Sequence, residues 1–151
     1  MRSIGTSTLN ARLLPPLGHP SGTLVVCSPG GGIDRRYFAM DVPGHEGVNL
    51  ATRLRKAGHV VALAELPGTR GAPGRRAGGL EAAAESLRRV VTRIERSTPH
   101  RRIVLLGHSL GGAVSYPSTM PHRWRCDGPY PSKVIAVAIA EAHGSSDGPH
   151  V

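Results

Sequence analysis

Aromatic residues are scarce: Phe, Trp and Tyr together make up 3% of the 151 residues. That excludes the stacking platform on which single-strand nucleic-acid binders hold successive bases. Cysteine is rarer still, and Cys27 and Cys126 stand far apart. The pair excludes a zinc knuckle and a disulfide scaffold, and a reducing cytoplasm is the expected compartment. Long apolar runs are also missing. The longest are Leu24 to Cys27, Val60 to Ala64, Ile103 to Leu106 and Val134 to Ala140. All fall far short of the roughly 20 residues of a spanning helix, and no apolar run follows Arg2, so neither a membrane span nor a secretory leader is expected. Lysine occurs only at Lys56 and Lys133, so the net charge of +9 comes from arginines scattered along the chain. With so few aromatics beside them, no nucleic-acid partner is expected.

What is present describes one globular domain. Hydrophobic residues account for 39% and charged residues for 19%, enough to build a core at this length. The run Thr23 to Cys27 ends in Ser28-Pro29-Gly30-Gly31-Gly32 and reads as a buried strand leading into a glycine loop. Val48 to Ala57 follows as a helix, with Gly58 as its stop. His59 to Leu66 is a second buried strand closed by Pro67-Gly68, and Thr69 to Gly79 is a loop of Gly and Arg. From Leu80 to Arg96 the apolar residues Leu80, Ala84, Leu87, Val91 and Ile94 form one helical stripe, with Glu85, Arg88 and Arg89 on the wet side. Arg102 to Leu106 is a third strand and Lys133 to Ala140 a fourth. Short apolar strands separated by helices predict an α/β fold with a mainly parallel sheet flanked by helices. The chain divides into an irregular or edge-strand segment (1–22), a core (23–116) and a Pro-rich segment with one strand and a tail (117–151).

The chemical signal is Gly107-His108-Ser109-Leu110-Gly111, followed by Gly112. It fits G-x-S-x-G where a strand enters and a helix leaves, the context of a nucleophile elbow. A serine there sits on a sharp, strained turn, and larger flanking residues would collide with the neighbouring strand and helix. The turn lifts the hydroxyl above the sheet edge and leaves helix N–H groups, beginning with Leu110, where an oxyanion can form. His108 reads as a packing residue whose side chain points away from the hydroxyl. No P-loop pattern occurs, and a dinucleotide fingerprint would need glycine where Arg35 stands.

Strand-then-glycine-loop (Val25 to Gly32), strand-then-Pro-Gly (Val60 to Gly68) and strand-then-elbow (Ile103 to Gly112) follow one another in the order of the α/β-hydrolase superfamily. The chain resembles its esterase/lipase-like members, with the match covering about Thr23 to Ala113 and ending after about the sixth strand of the family fold. The resemblance implies Ser109 as the nucleophile and Leu110 N–H as one oxyanion donor. The second donor would come from Gly31 or Gly32, although this loop opens with Ser28-Pro29 where the family usually has His-Gly. The implied reaction is cleavage of a small-molecule acyl substrate, a carboxylic ester, through an acyl-enzyme on Ser109. No metal or organic cofactor is implied.

The family places an acid and then a histidine on loops after later strands. Past the elbow the chain offers Asp127, Glu141 and Asp147 as acids and His122, His143 and His150 as bases. Glu141 and Asp147, after the fourth strand, are the acid candidates; the expected histidine loop lies beyond a strand this chain lacks. Pro117, Pro121, Pro129 and Pro131 are expected to limit the elbow helix to two turns before Pro117. Two other readings stand beside the hydrolase. One is an inactive fragment of the same fold acting as a binding or interaction module. The other is a polyanion binder using Arg35, Arg36, Arg70, Arg75 and Arg76. A sheet that stops early exposes an apolar edge strand, a template for self-association.

Overall fold

The computed structural model describes residues 3–4, 11–66, 79–119 and 134–140. Its centre is a run of three strands built from continuous apolar stretches. In β3 (Thr23–Ser28) all six residues are buried, and β4 (Val60–Ala64) and β5 (Arg102–His108) flank it in parallel. A fourth parallel strand, β6 (Val134–Ala140), pairs with β5. Two short strands close the other side: β2 (Ala11–Leu14) runs antiparallel to β4, and β1 (Ser3–Ile4) runs antiparallel to β2. The order is β1-β2-β4-β3-β5-β6.

Side chains alternate across the sheet, as the two-residue period of a strand requires. Leu24, Val26, Ala62, Ala64, Ile103 and Leu105 face one side, with Leu87, Val91 and Ile94 of α2 (Gly79–Ser97) and Val114 of α3 (Leu110–Thr119). Val25, Cys27, Val61 and Leu63 face the other side, with Ala51 of α1 (Leu50–Lys56) and Phe38. The two faces are covered unequally. Ile103 and Leu105 are wholly buried under α2 and α3, whereas Val104 and Leu106 beside seven-residue α1 are only partly buried.

Local chemistry sets the helix ends. Asn49 caps α1 by accepting from Thr52 N–H at 2.8 Å, the bond an N-cap amide oxygen is suited to make. Gly58, with φ of +87°, follows its C-terminal end. Along α2 the expected stripe holds from Ala84 to Ile94, joined by Ala83 and Val90, but Leu80 is exposed. Leu80 occupies the first turn, before the helix meets the sheet. Glu85 bridges Arg88 at 2.7 Å and Arg89 at 2.8 Å on the outer side.

Two elements differ from the sequence reading. A 3₁₀ helix at Arg35–Ala39 follows the glycine loop, capped by Asp34, whose carboxylate accepts from Arg36 N–H at 2.8 Å. The elbow helix also does not stop before Pro117: α3 continues to Thr119. Pro117 lacks only the N–H that would reach back to Ala113, and two residues later the helix is over, so the loss falls in its last turn.

Candidate active site

The chain connects β3 to β4 through α1 on one face and β5 to β6 through α3 on the opposite face. The neighbouring strands β3 and β5 therefore send their connections in opposite directions. Their carboxyl ends open a crevice at the point where strand order reverses, the place where open α/β sheets bind ligands. Ser28-Pro29-Gly30-Gly31-Gly32 leaves β3 on one wall of that crevice, and Ser109 leaves β5 on the other.

Ser109 is exposed and has φ of +50°, the only positive value at a non-glycine position among the described residues. A left-handed serine costs about 1–3 kcal/mol, and persists where the surroundings fix it. Here the surroundings are backbone. A β-carbon at Gly107 would overlap the amide nitrogen of Gly112, and one at Gly111 would overlap the carbonyl oxygen of Ser28. The first turn of α3 is thus pressed against β5 and the end of β3, and only glycine fits at either contact. Ser109 O accepts from Ala113 N–H at 3.0 Å, so the serine itself begins the helix. Leu110 N–H is then one of the four amides a helix leaves without an internal partner.

The glycine loop lies alongside. A β-carbon at Gly30 would stand 3.4 Å from Ser109 Cβ and 3.0 Å from His108 Nδ1, and one at Gly31 would stand 3.4 Å from Leu110 Cδ2. Gly32, with φ of +73°, would place a β-carbon in open space. Ile33 N–H donates to Gly30 O at 3.3 Å and closes the loop as a turn. Of the glycines expected to supply a donor, Gly31 borders the elbow directly. Gly30, in the expected loop but not one of the two favoured donors, is the position whose β-carbon would meet the serine itself.

His108, the last residue of β5, shares the face of Val104 and Leu106. Its ring packs on Tyr37 at 4.8 Å between centroids, and its Nδ1 is buried without a hydrogen-bond partner. Beside it an apolar cavity of about 360 Å³ is lined by Tyr37, Phe38, Met40, Leu50, Leu106 and His108. Cys27 is no rival nucleophile, because burial pushes its thiol up to about 12 and keeps it protonated. A histidine bonded to a hydroxyl does occur elsewhere: Ser21 Oγ and His59 Nδ1 lie 2.7 Å apart. That pair sits at the starts of β3 and β4, the opposite edge of the sheet, and takes no part in the elbow.

Of the arginines considered for a polyanion site, Arg35 pairs with Glu65 at 3.1 Å and Arg36 with Asp34 at 2.6 Å. The hydrogen bonds from Arg36 hold the Asp34 carboxyl below the usual carboxylate range. Arg70, Arg75 and Arg76 lie outside the described residues, as do Glu141, Asp147, Asp127, His122, His143 and His150. Among the described residues no group of side chains could hold a metal ion, and no helix is long and apolar enough to cross a membrane. Sequence reasoning missed Glu65 and Tyr37. The signal for Glu65 was a lone charge at the end of an apolar strand; nothing local marks Tyr37.

A mainly parallel sheet carrying a strained serine at its switch point defines the α/β hydrolases as a class. A family model described as the alpha/beta hydrolase family matches residues 25–149, and the chain belongs to that family. Solved structures agree on the fold. An alpha-beta serine hydrolase homologue from Coxiella burnetii superposes with a TM-score of 0.59 at 21% identity, covering 76% of this chain and 53% of its own. A lipase in its open form gives 0.67 at 19%, covering 91% and 43%. Epoxide hydrolase A from Mycobacterium thermoresistibile gives 0.59 at 22%, covering 91% and 37%. No curated protein matches the sequence. The chain spans about half the length, or less, of these solved relatives.

Proposed function

We propose that this chain carries the nucleophile half of a serine hydrolase acting on carboxylic esters. The observation that carries the reading is the exposed, left-handed Ser109 held between β5 and α3 beside the turn at Gly30–Gly31. Ser109 Oγ attacks the ester carbonyl, its proton passes to a general base, and the alcohol leaves as the acyl-enzyme forms. The developing oxyanion is met by Leu110 N–H and by Gly31 or Gly32 N–H. The cavity beside His108, walled by Phe38, Met40 and Leu106, takes the apolar acyl chain, and water then releases the acid.

Glu141 and Asp147 are the candidates for the acid that orients the base. Without a base a serine is a poor nucleophile, and the loss is on the order of 10⁶ in turnover in a well-studied protease. Donors and binding alone leave about 10³ to 10⁴ over water.

The test is a fluorophosphonate probe together with a short-chain aryl ester. Labelling at Ser109 that disappears in Ser109→Ala is the expected result. Labelling that survives in Ser109→Ala overturns the assignment. A chain that neither labels nor hydrolyses the ester is instead a binding module built on the same fold.

A further inference from the structure

We propose that the Arg35–Glu65 ion pair is a positioning device for the glycine turn, holding its amides in place beside Ser109. The inference rests on the reading of Ser109 as nucleophile and adds two residues to it.

Glu65 is the one charged side chain buried among the described residues, with 8% of its surface exposed. It directly follows β4, at the same sheet edge as the elbow. Burying a carboxylate is costly, and a buried charge persists only with a well-placed partner. That partner is Arg35 Nη1, at 3.1 Å. Arg35 opens the 3₁₀ helix that the glycine turn feeds: Gly30 and Ile33 close the turn, Asp34 caps the helix, and Arg35 is its first residue. The same short helix reaches the opposite side of the site through Tyr37, whose ring packs on His108, the residue before Ser109. Phe38 fixes it to the core.

The turn therefore springs from β3, the central strand, while the segment behind it is tied to β4 by Arg35 and to β5 by Tyr37. Phe38 supplies adhesion, which is non-directional. A charge-assisted hydrogen bond adds direction, so the pair constrains how the helix, and hence the turn ahead of it, is oriented. Oxyanion stabilisation depends on such orientation, because donors work only when preset toward the developing charge. Neither Arg35 nor Glu65 touches the reacting atoms in this scheme; both act through the turn.

The test uses the full chain, with Glu65→Gln and the double variant Glu65→Leu/Arg35→Met. The double variant replaces the pair with apolar groups of similar size, a change folds often tolerate. Two quantities are read: ¹⁵N order parameters at Gly31, Gly32 and Ile33, with Val25 and Leu105 as references, and the rate of fluorophosphonate labelling. In the wild type the turn amides are expected near the rigid value of about 0.85, falling below about 0.6 in both variants while the references stay fixed. Labelling should slow by at least about 10-fold, short of the 10² to 10³ for deleting an oxyanion donor. Turn amides as rigid in both variants as in the wild type, or already mobile in the wild type, overturn the proposal. So does a loosened turn with labelling unchanged. If the wild type never labels, the nucleophile reading fails and the order parameters alone judge the ion pair, which then positions the turn without a catalytic role.

Discussion

At Gly111 and Gly31 the same chemical change meets two different surroundings. A methyl group at Gly111 runs into the Ser28 and Pro29 carbonyl oxygens, which are backbone and have nowhere to go. At Gly31 it meets the end of a leucine side chain at 3.4 Å, which can turn aside. Gly111→Ala should therefore cost more than about 2 kcal/mol and abolish labelling of Ser109. Gly31→Ala should leave stability within about 0.5 kcal/mol. Urea melts of the two variants check the contrast, and equal losses would contradict it. Cys27 gives a prediction in pH. Its thiol has a reference value of 9.0 and is pushed to about 12 in the fold. Between those values the unfolded chain has lost a proton that the native state keeps, so stability falls as pH rises from 9 toward 12. The slope is about 1.4 kcal/mol per pH unit. In a Cys126→Ser background, urea melts across this range should show the slope, and Cys27→Ala should remove it. Below pH 9 the thiol contributes no dependence.

The elements show which parts of the fold the sequence could announce. β3, β4 and β5 are legible because each carries a continuous apolar run, and β3, buried on both faces, needs no alternation to reveal itself. The elbow is legible because G-x-S-x-G falls where such a run ends. β2 is harder to read: Ala11–Leu14 is short, half-exposed and defined by its pairing with β4. The 3₁₀ helix is five residues long with no periodicity, and its only marker is Asp34 as a cap. The Arg35–Glu65 pair joins residues 30 apart in sequence. No local pattern encodes it, since its geometry exists only once β3 and β4 lie side by side. Pro117 misleads for the opposite reason. A rule about helix interiors was applied to a residue in the last turn, where little remains to be broken.

For the whole molecule, the unequal faces and the outer strand matter most. Among the described strands β6 stands at one edge of the sheet, and its sequence, Val134 to Ala140, carries no charge or proline. Natural edges are usually blunted by such residues, and an unblunted edge invites pairing with another copy. The 151-residue chain is expected to self-associate as its concentration rises. Ala138→Lys, which places a charge on that strand at the register position of the partly buried Leu106, should shift the species seen by light scattering toward the monomer. A chain that stays monomeric without the substitution would show that the edge is covered.

The two walls of the crevice come from stretches of chain far apart in order, one leaving β3 and the other β5, with all of α1, β4 and α2 between them. Pairings of such high sequence separation are slow to form during folding. The contorted backbone at Ser109 is held by that pairing, since the Ser28 carbonyl packs against Gly111 in the first turn of the helix that Ser109 begins. On the reading of Ser109 proposed above, a newly made or partly opened chain carries an ordinary serine hydroxyl, and labelling at this position would report that the interior of the sheet has closed.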